Sequence, residues 1–342
     1  MLVAVEVALS QVLEARRTIE ARLHRTPVFS SSQLGERLGC LLYLKAELFQ
    51  KTGSFKPRGA LNRLLTAHPE ELSPGLITVS AGNHAQGLAW AAREVGVACT
   101  VVMPAAASAA KAAATRGYGA EVILHGTISE AFEHMEHLRR QRGLLLVHPF
   151  DEPAIVAGQG TVGLEILEQV PEVDVVVCPL GGGGLISGIA LALKSQRPEV
   201  RVYGVEPAGA AVMRRSWEEG RPVRLASVET FADGLASPVA GELTYPMTRR
   251  YVDDILVVTE EEILSGVRAL MTFAKLYPEG GGAAATAALL AGKVPLQPGE
   301  TVVSVVSGGN LEPERLAELI SPASSPARPT VERVPSERRT GT

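Results

Sequence analysis

The chain has 342 residues, of which 46% are hydrophobic and 20% charged, with a formal net charge of −4. That length suggests about two domains, and the apolar content excludes wholesale disorder. The weak acidity removes the electrostatic case for a nucleic-acid partner, and no apolar run reaches the ~18 residues of a membrane span. The opening MLVAVEVALSQVLEARR spaces acids and arginines as a helix does, unlike a secretory leader, so a cytoplasmic protein is expected. In chain order, strand-like runs fall at 41–45, 76–79, 99–103, 121–124, 144–148, 173–178, 201–206, 254–258 and 301–306. Helical stretches fall between them, at 85–95, 128–141, 153–169, 185–194 and 260–276. Most of the strand runs are near-continuous Val, Ile and Leu, the pattern of parallel strands covered on both faces. Alternation of strand and helix predicts an open wound α/β architecture. After 320 the text turns rich in Pro, Ser and charge, and 321–342 reads as a mobile tail. Cys40, Cys99 and Cys178 are too scattered for a disulfide framework or a zinc knuckle.

Three strand-to-helix junctions carry glycine and small polar residues. The first, VDVVVCPLGGGGLISGIALALK, is a strand, the four glycines Gly181, Gly182, Gly183 and Gly184, and then an apolar helix opening at Leu185. Glycine lets the backbone approach a ligand closely. The free N–H groups and positive dipole end of the helix favour an anion by about 0.3–2 kcal/mol. This is a phosphate cradle without the Lys-Ser/Thr of a nucleoside-triphosphate loop. Ser80-Ala81-Gly82-Asn83-His84 and Ser307-Gly308-Gly309-Asn310 occupy equivalent positions. In open α/β sheets, ligands bind beyond the carboxyl ends of parallel strands. By contrast, Gly158-Gln-Gly160-Thr-Val-Gly163 matches GxGxxG but follows helical text, so it reads as a tightly packed helix and not a dinucleotide fingerprint.

Lysines are scarce, seven against 26 arginines. Lys56 sits in Gly-Ser-Phe-Lys, where Gly53 and Phe55 suit a close, packed site. A desolvated lysine loses its proton readily and becomes a nucleophile. A nucleophilic amine plus a phosphate cradle is what pyridoxal phosphate requires.

The segments RTPVFSSSQL, LKAELFQKTGSFKPRGA, SAGNHAQGLA, GQGTVGLEI, PLGGGGLISG, GVEP, ADGLA, KLYPEGGGAAATAALL and VVSGGN run in order from about residue 20 to 312. With them the chain resembles the threonine/serine dehydratase (threonine ammonia-lyase) family of fold-type II pyridoxal-phosphate enzymes. The resemblance implies a tryptophan-synthase-β-like fold of two wound parallel-sheet domains with the cofactor in the cleft between them. The large cofactor-binding domain would span 1–73 and 151–320, and a small substrate-loop domain 74–150. It further implies that Lys56 holds the cofactor covalently and is the catalytic base. Gly181 to Gly184 and the Leu185 amide would bind the phosphate, Asn83 the ring hydroxyl, and Phe55 would pack beside the ring. Ser307 would face the pyridine nitrogen, and Ser80, Ala81, Gly82 and His84 would receive the substrate carboxylate. A homo-oligomer, dimer or tetramer, is the family habit.

Within the family, L-threonine or L-serine is the expected substrate, giving a 2-oxo acid and ammonia. Serine racemases resemble SSGNH at the substrate loop, and Ala81 stands here where the second serine would deliver a proton. A lyase for another β-substituted amino acid such as 3-hydroxyaspartate, a serine racemase, and a cofactor-binding sensor without turnover remain as alternatives. Some relatives bind a cation near a Glu-Pro segment. Glu206-Pro207 is present, but Val212 replaces the second carboxylate, so no metal is expected. With so few residues after 320, no isoleucine-sensing domain like that of biosynthetic threonine deaminases is expected in this chain.

Overall fold

The structure, a computed structural model, describes residues 7–320. Ten strands form two sheets: β1 (Val28–Ser30), β2 (Leu41–Ala46), β3 (Leu76–Val79), β4 (Cys99–Met103), β5 (Glu121–Leu124), β6 (Leu145–Leu146), β7 (Val175–Pro179), β8 (Arg201–Pro207), β9 (Asp254–Val258) and β10 (Thr301–Val306). The larger sheet has the order β1-β2-β10-β7-β8-β9, parallel except for β1, which pairs antiparallel with β2. The smaller has the order β5-β4-β3-β6 and is parallel throughout. Residues up to Leu311 cluster as one compact unit, and those from Glu312 as a second, of which the helix Pro313–Ile320 is described. The expected tail at 321–342 lies outside the described residues.

The Val-rich strands are buried because helices cover them. Val162 and Ile166 from helix Pro153–Gln169, and Ile189 and Leu193 from helix Gly184–Gln196, close over Val176, Val202 and Val303 of the large sheet. The small sheet is covered on one side by Leu88 and Trp90 of helix Asn83–Val95, which meet Val101 and Met103. On its other side Met135 and Leu138 of helix Ile128–Arg142 meet Ile77 and Val102. Each such side chain contributes about 1.5–3 kcal/mol by leaving water.

All nine expected strands are present. The antiparallel β1 is additional, and its three residues are too short to show a period. The expected 144–148 strand shrinks to two residues, although Val147 N–H still donates to Ile77 O at 3.1 Å. The expected helix over 260–276 is regular only over Glu260–Ala269. It widens into a π turn at Leu270–Ala274 and stops where Lys275 takes φ +59°. The GxGxxG segment lies inside helix Pro153–Gln169, as expected. A Cβ on Gly158 would stand 2.5 Å from Arg58 O, so the glycine serves close helix packing.

Candidate active site

Lys56 is placed by two loops and a helix. The chain leaves β2, makes a short turn at Glu47–Phe49, and reaches Gly53 in the left-handed region at φ +73°. From there it is laced to the loop after β10. Phe55 N–H donates to Ser307 O at 3.1 Å, Gly309 N–H donates to Gly53 O at 2.9 Å, and Ser54 pairs with Gly308. Helix Pro57–Leu65 starts at the next residue, its first position filled by a proline that lacks the unneeded N–H. The third element is helix Asn83–Val95, where a Cβ on Gly87 would fall 2.8 Å from Lys56 Cβ. Lys56 Nζ donates to Pro149 O at 2.8 Å. Burial lowers its pKa to about 8, with the Glu279 carboxylate opposing the shift. Phe55 packs on the large core, its ring centroid 5.1 Å from Lys56 Nζ.

The glycine loop follows β7. Gly183 takes φ +94°, and the helix begins at Gly184. The first helical N–H groups, those of Gly184 and Leu185 among them, have no acceptor within the helix. A Cβ on Gly182 would meet the Phe150 ring at 2.4 Å. The loop is clamped from outside: Thr244 Oγ1 donates to Gly182 O at 2.7 Å, and the Asp151 carboxylate accepts the N–H groups of Glu242, Leu243 and Thr244 at 2.9, 3.0 and 3.0 Å.

The loop after β3 brings Asn83, which is buried. Its Nδ2 donates to Glu279 Oε1 at 2.5 Å, and its Oδ1 accepts from Asn310 Nδ2 at 2.8 Å. Burial raises the Glu279 carboxyl to about 7, while the Asn83 hydrogen bond and the charge of Lys111 pull it down. Ser80 Oγ accepts from Gly82 N–H at 3.2 Å, which shapes the loop, and Ala81 packs on the small core. Ser307 is buried, its Oγ 3.4 Å from Gly281 O. His84 is buried with Nε2 3.1 Å from Val147 O. A carbonyl only accepts, so Nε2 carries the hydrogen. Burial, reinforced by the Lys56 charge, depresses His84 to about 3, so the ring stays neutral. Its side chain anchors the loop to Val147.

Glu206 is buried beneath the helix Val212–Glu219, where its two oxygens accept the N–H groups of Met213 and Arg214, each at 2.8 Å. Sequence reasoning passed over Glu279 and Asn310 as site residues. Both were visible in the PEGGG and SGGN loops, but nothing local in those loops says that they meet Asn83.

A desolvated amine, an anion cradle and a buried neutral hydroxyl at one end of a parallel sheet define a site for an aldehyde cofactor bearing a phosphate, and these residues fit pyridoxal phosphate. The model of the family "Pyridoxal-phosphate dependent enzyme" matches residues 19–308. The chain is 44% identical over 316 residues to an L-threonine ammonia-lyase of Thermotoga maritima, covering 92% of this chain and 78% of the relative. Among solved structures it is similar to the processed form of threonine deaminase isoform 2 from Solanum lycopersicum, with a TM-score of 0.87 and 36% identity over 93% of this chain and 94% of that one. It is also similar to maize serine racemase, with a TM-score of 0.88 and 36% identity over 91% of this chain and 96% of that one. The chain belongs to the pyridoxal-phosphate dependent enzyme family, with the fold-type II architecture that the motifs implied.

Proposed function

We propose that the protein is a lyase that removes the β-hydroxyl and the amino group of L-threonine, or L-serine, to give a 2-oxo acid and ammonia. The observation that carries this reading is Lys56, half-buried with Nζ donating to Pro149 O and its pKa near 8, beside the loop after β10 and the helix that follows β3. About one lysine in ten is then unprotonated at pH 7, so attachment and proton acceptance at the substrate Cα are both open to Nζ. Pyridoxal phosphate supplies the electron sink when bound. The N–H groups from Gly181 to Leu185 hold its phosphate, Asn83 its ring hydroxyl, and Phe55 lies beside the ring. Ser307 offers the ring nitrogen a neutral partner. The backbone from Ser80 to His84 takes the substrate carboxylate.

The likeness to a serine racemase favours a second reading, racemisation, which needs a proton donor on the opposite face of Cα. Ala81 has none to give. The names of the threonine ammonia-lyase and threonine deaminase relatives support elimination. The same reading takes a small amino acid as partner, a homo-oligomer as assembly and the cytoplasm as compartment. It also treats residues 74–150, which hold the four-stranded sheet, as a small domain. Among the described residues no helix is long and apolar enough to cross a membrane.

The test reduces the cofactor-loaded protein with borohydride, maps the labelled peptide, and assays 2-oxo acid release from a panel of hydroxy amino acids with chiral analysis of the remainder. Lys56 is the expected label and L-threonine or L-serine the expected substrate. A label on another lysine, or D-serine formed as fast as pyruvate, overturns the reading.

A further inference from the structure

Glu279 is a buried carboxyl with no part in the function above, and it ends a directional chain of hydrogen bonds. Thr52 O is a main-chain carbonyl and can only accept. It takes one N–H of Asn310 Nδ2 at 2.7 Å. The same Nδ2 donates to Asn83 Oδ1 at 2.8 Å, which uses both Asn310 hydrogens and fixes that amide. Asn83 must therefore turn its oxygen to Asn310 and its NH₂ the other way. There one N–H donates to Glu279 Oε1 at 2.5 Å. Flipping the Asn83 amide would set donor against donor at Asn310 and acceptor against carboxylate at Glu279. Its second N–H stays uncommitted among the described residues.

We propose that Glu279 is a positioning residue that locks the Asn83 amide so that its second N–H is presented to the bound cofactor. The inference rests on the reading of Asn83 given above. Glu279 is held where it can do this: its N–H donates to Gly308 O at 3.1 Å, and its Oε1 would lie 2.4 Å from a Cβ on Gly308 and 3.4 Å from one on Gly234. The charged groups that face it are Lys56, Lys111 and Asp233, the last two paired with each other at 2.5 Å. Burial brings its pKa to about 7, so the lock is at full strength above neutrality and weakens as the carboxylate takes up a proton below it.

The test is a double-mutant cycle on cofactor affinity. Apoprotein is titrated with pyridoxal phosphate, and visible absorbance is followed between pH 6 and 8.5. Glu279→Ala is expected to weaken binding about tenfold, the worth of one charge-assisted hydrogen bond. In an Asn83→Ala background most of that effect should vanish, because Glu279 acts chiefly through that amide, and only the smaller influence of its charge on Lys56 remains. Glu279→Gln keeps an acceptor without the charge. It is expected to bind more tightly than Glu279→Ala and to lose the Glu279 share of the wild-type change in affinity between pH 6 and 8.5, while the share that comes from Lys56 remains. It also guards against a folding defect in the alanine variant. Independent, multiplying effects of Glu279→Ala and Asn83→Ala, or unchanged affinity and pH dependence in both Glu279 variants, overturn the proposal. If borohydride labels Lys56 and the cycle still multiplies, only the role of Glu279 falls. If wild-type protein takes up no cofactor on Lys56, the functional reading falls with it.

Discussion

Arg58→Met is expected to be among the most damaging single changes in this chain, although Arg58 is none of the residues assigned to the cofactor or substrate. Four charges lie together behind the lysine loop: Lys45 and Glu47 are 0% exposed, Arg58 2% and Glu165 9%. Arg58 forks onto both carboxylates. Nε and Nη2 bind Glu47 at 2.8 and 2.9 Å, and Nη1 and Nη2 bind Glu165 at 2.6 and 2.9 Å. Lys45 Nζ reaches Glu165, Thr26 O and Gln169 at 2.5, 2.9 and 2.8 Å, so the group is neutral and its donors are satisfied. Burial works to lower the Arg58 pKa, yet Glu47 and Glu165 outweigh it and hold the guanidinium charged. Methionine keeps the stem and removes the charge, leaving two buried carboxylates against one ammonium. Breaking a buried pair costs about 3–5 kcal/mol, and a bidentate arginine shared by two acids belongs near the top of that range. That is a large part of a typical total stability of about 5–15 kcal/mol. Adding Glu47→Gln restores neutrality and should recover about 1–3 kcal/mol. Urea unfolding of the apoprotein, followed by circular dichroism at pH 7, reads both. A loss under ~1 kcal/mol for Arg58→Met, or a double variant as weak as the sum of its parts, refutes the reasoning.

Two further outcomes test the loops around the lysine. Gly182→Ala drives a Cβ to within 2.4 Å of the Phe150 ring, so the cradle must shift; an overpacking cost of about 1–3 kcal/mol and at least tenfold weaker pyridoxal phosphate binding are expected, and wild-type affinity in a titration would show that the glycine is dispensable. His84 has a folded pKa of about 3 against 6.5 for an ordinary histidine, so the unfolded chain takes up the proton first; the stability this group contributes is present above pH 6.5 and is lost as pH falls toward 3, by about 1.4 kcal/mol per pH unit. His148, also depressed by burial, adds to the slope, and His84→Gln should flatten urea midpoints against pH between 6.5 and 5 by one proton's share; an unchanged slope would mean that His84 is not buried as a neutral ring.

The strands were legible because parallel, doubly covered strands concentrate Val, Ile and Leu in short runs of four to six residues. The glycine cradle and Lys56 were legible for a related reason: four glycines in a row and a lysine among packed small residues are costly patterns without a ligand. What stayed hidden was long-range. The hydrogen bond from Asn83 to Glu279 joins residues 196 apart in sequence, and that from Asn310 to Thr52 spans 258. His84 was readable as a residue of the substrate loop, yet only the approach of Val147 assigns its side chain to anchoring the loop. Arg58 and Glu165 were overlooked because charged residues in helices are ordinarily solvated. Their burial follows from the close crossing of helices Pro57–Leu65 and Pro153–Gln169 at Gly59 and Gly158.

The ion cluster and the site share a geometrical problem. Three of the site loops leave β2, β10 and β7, which are neighbours in the large sheet, so parallel pairing alone delivers them to one end. The loop after β2 is the exception in length: Lys56 comes ten residues after Ala46, far enough for the chain to wander. Glu47 is the first residue of that excursion and Arg58 lies just past its end, so the fork between them closes the segment into a fixed loop. The bonds from Phe55 and Gly309 to the β10 loop then set its tip. On this account, Lys56 owes its position to a charge pair that it never touches. Weakening that pair should therefore loosen the hold on the lysine before it disturbs the glycine cradle, whose clamp through Asp151 and Thr244 is separate.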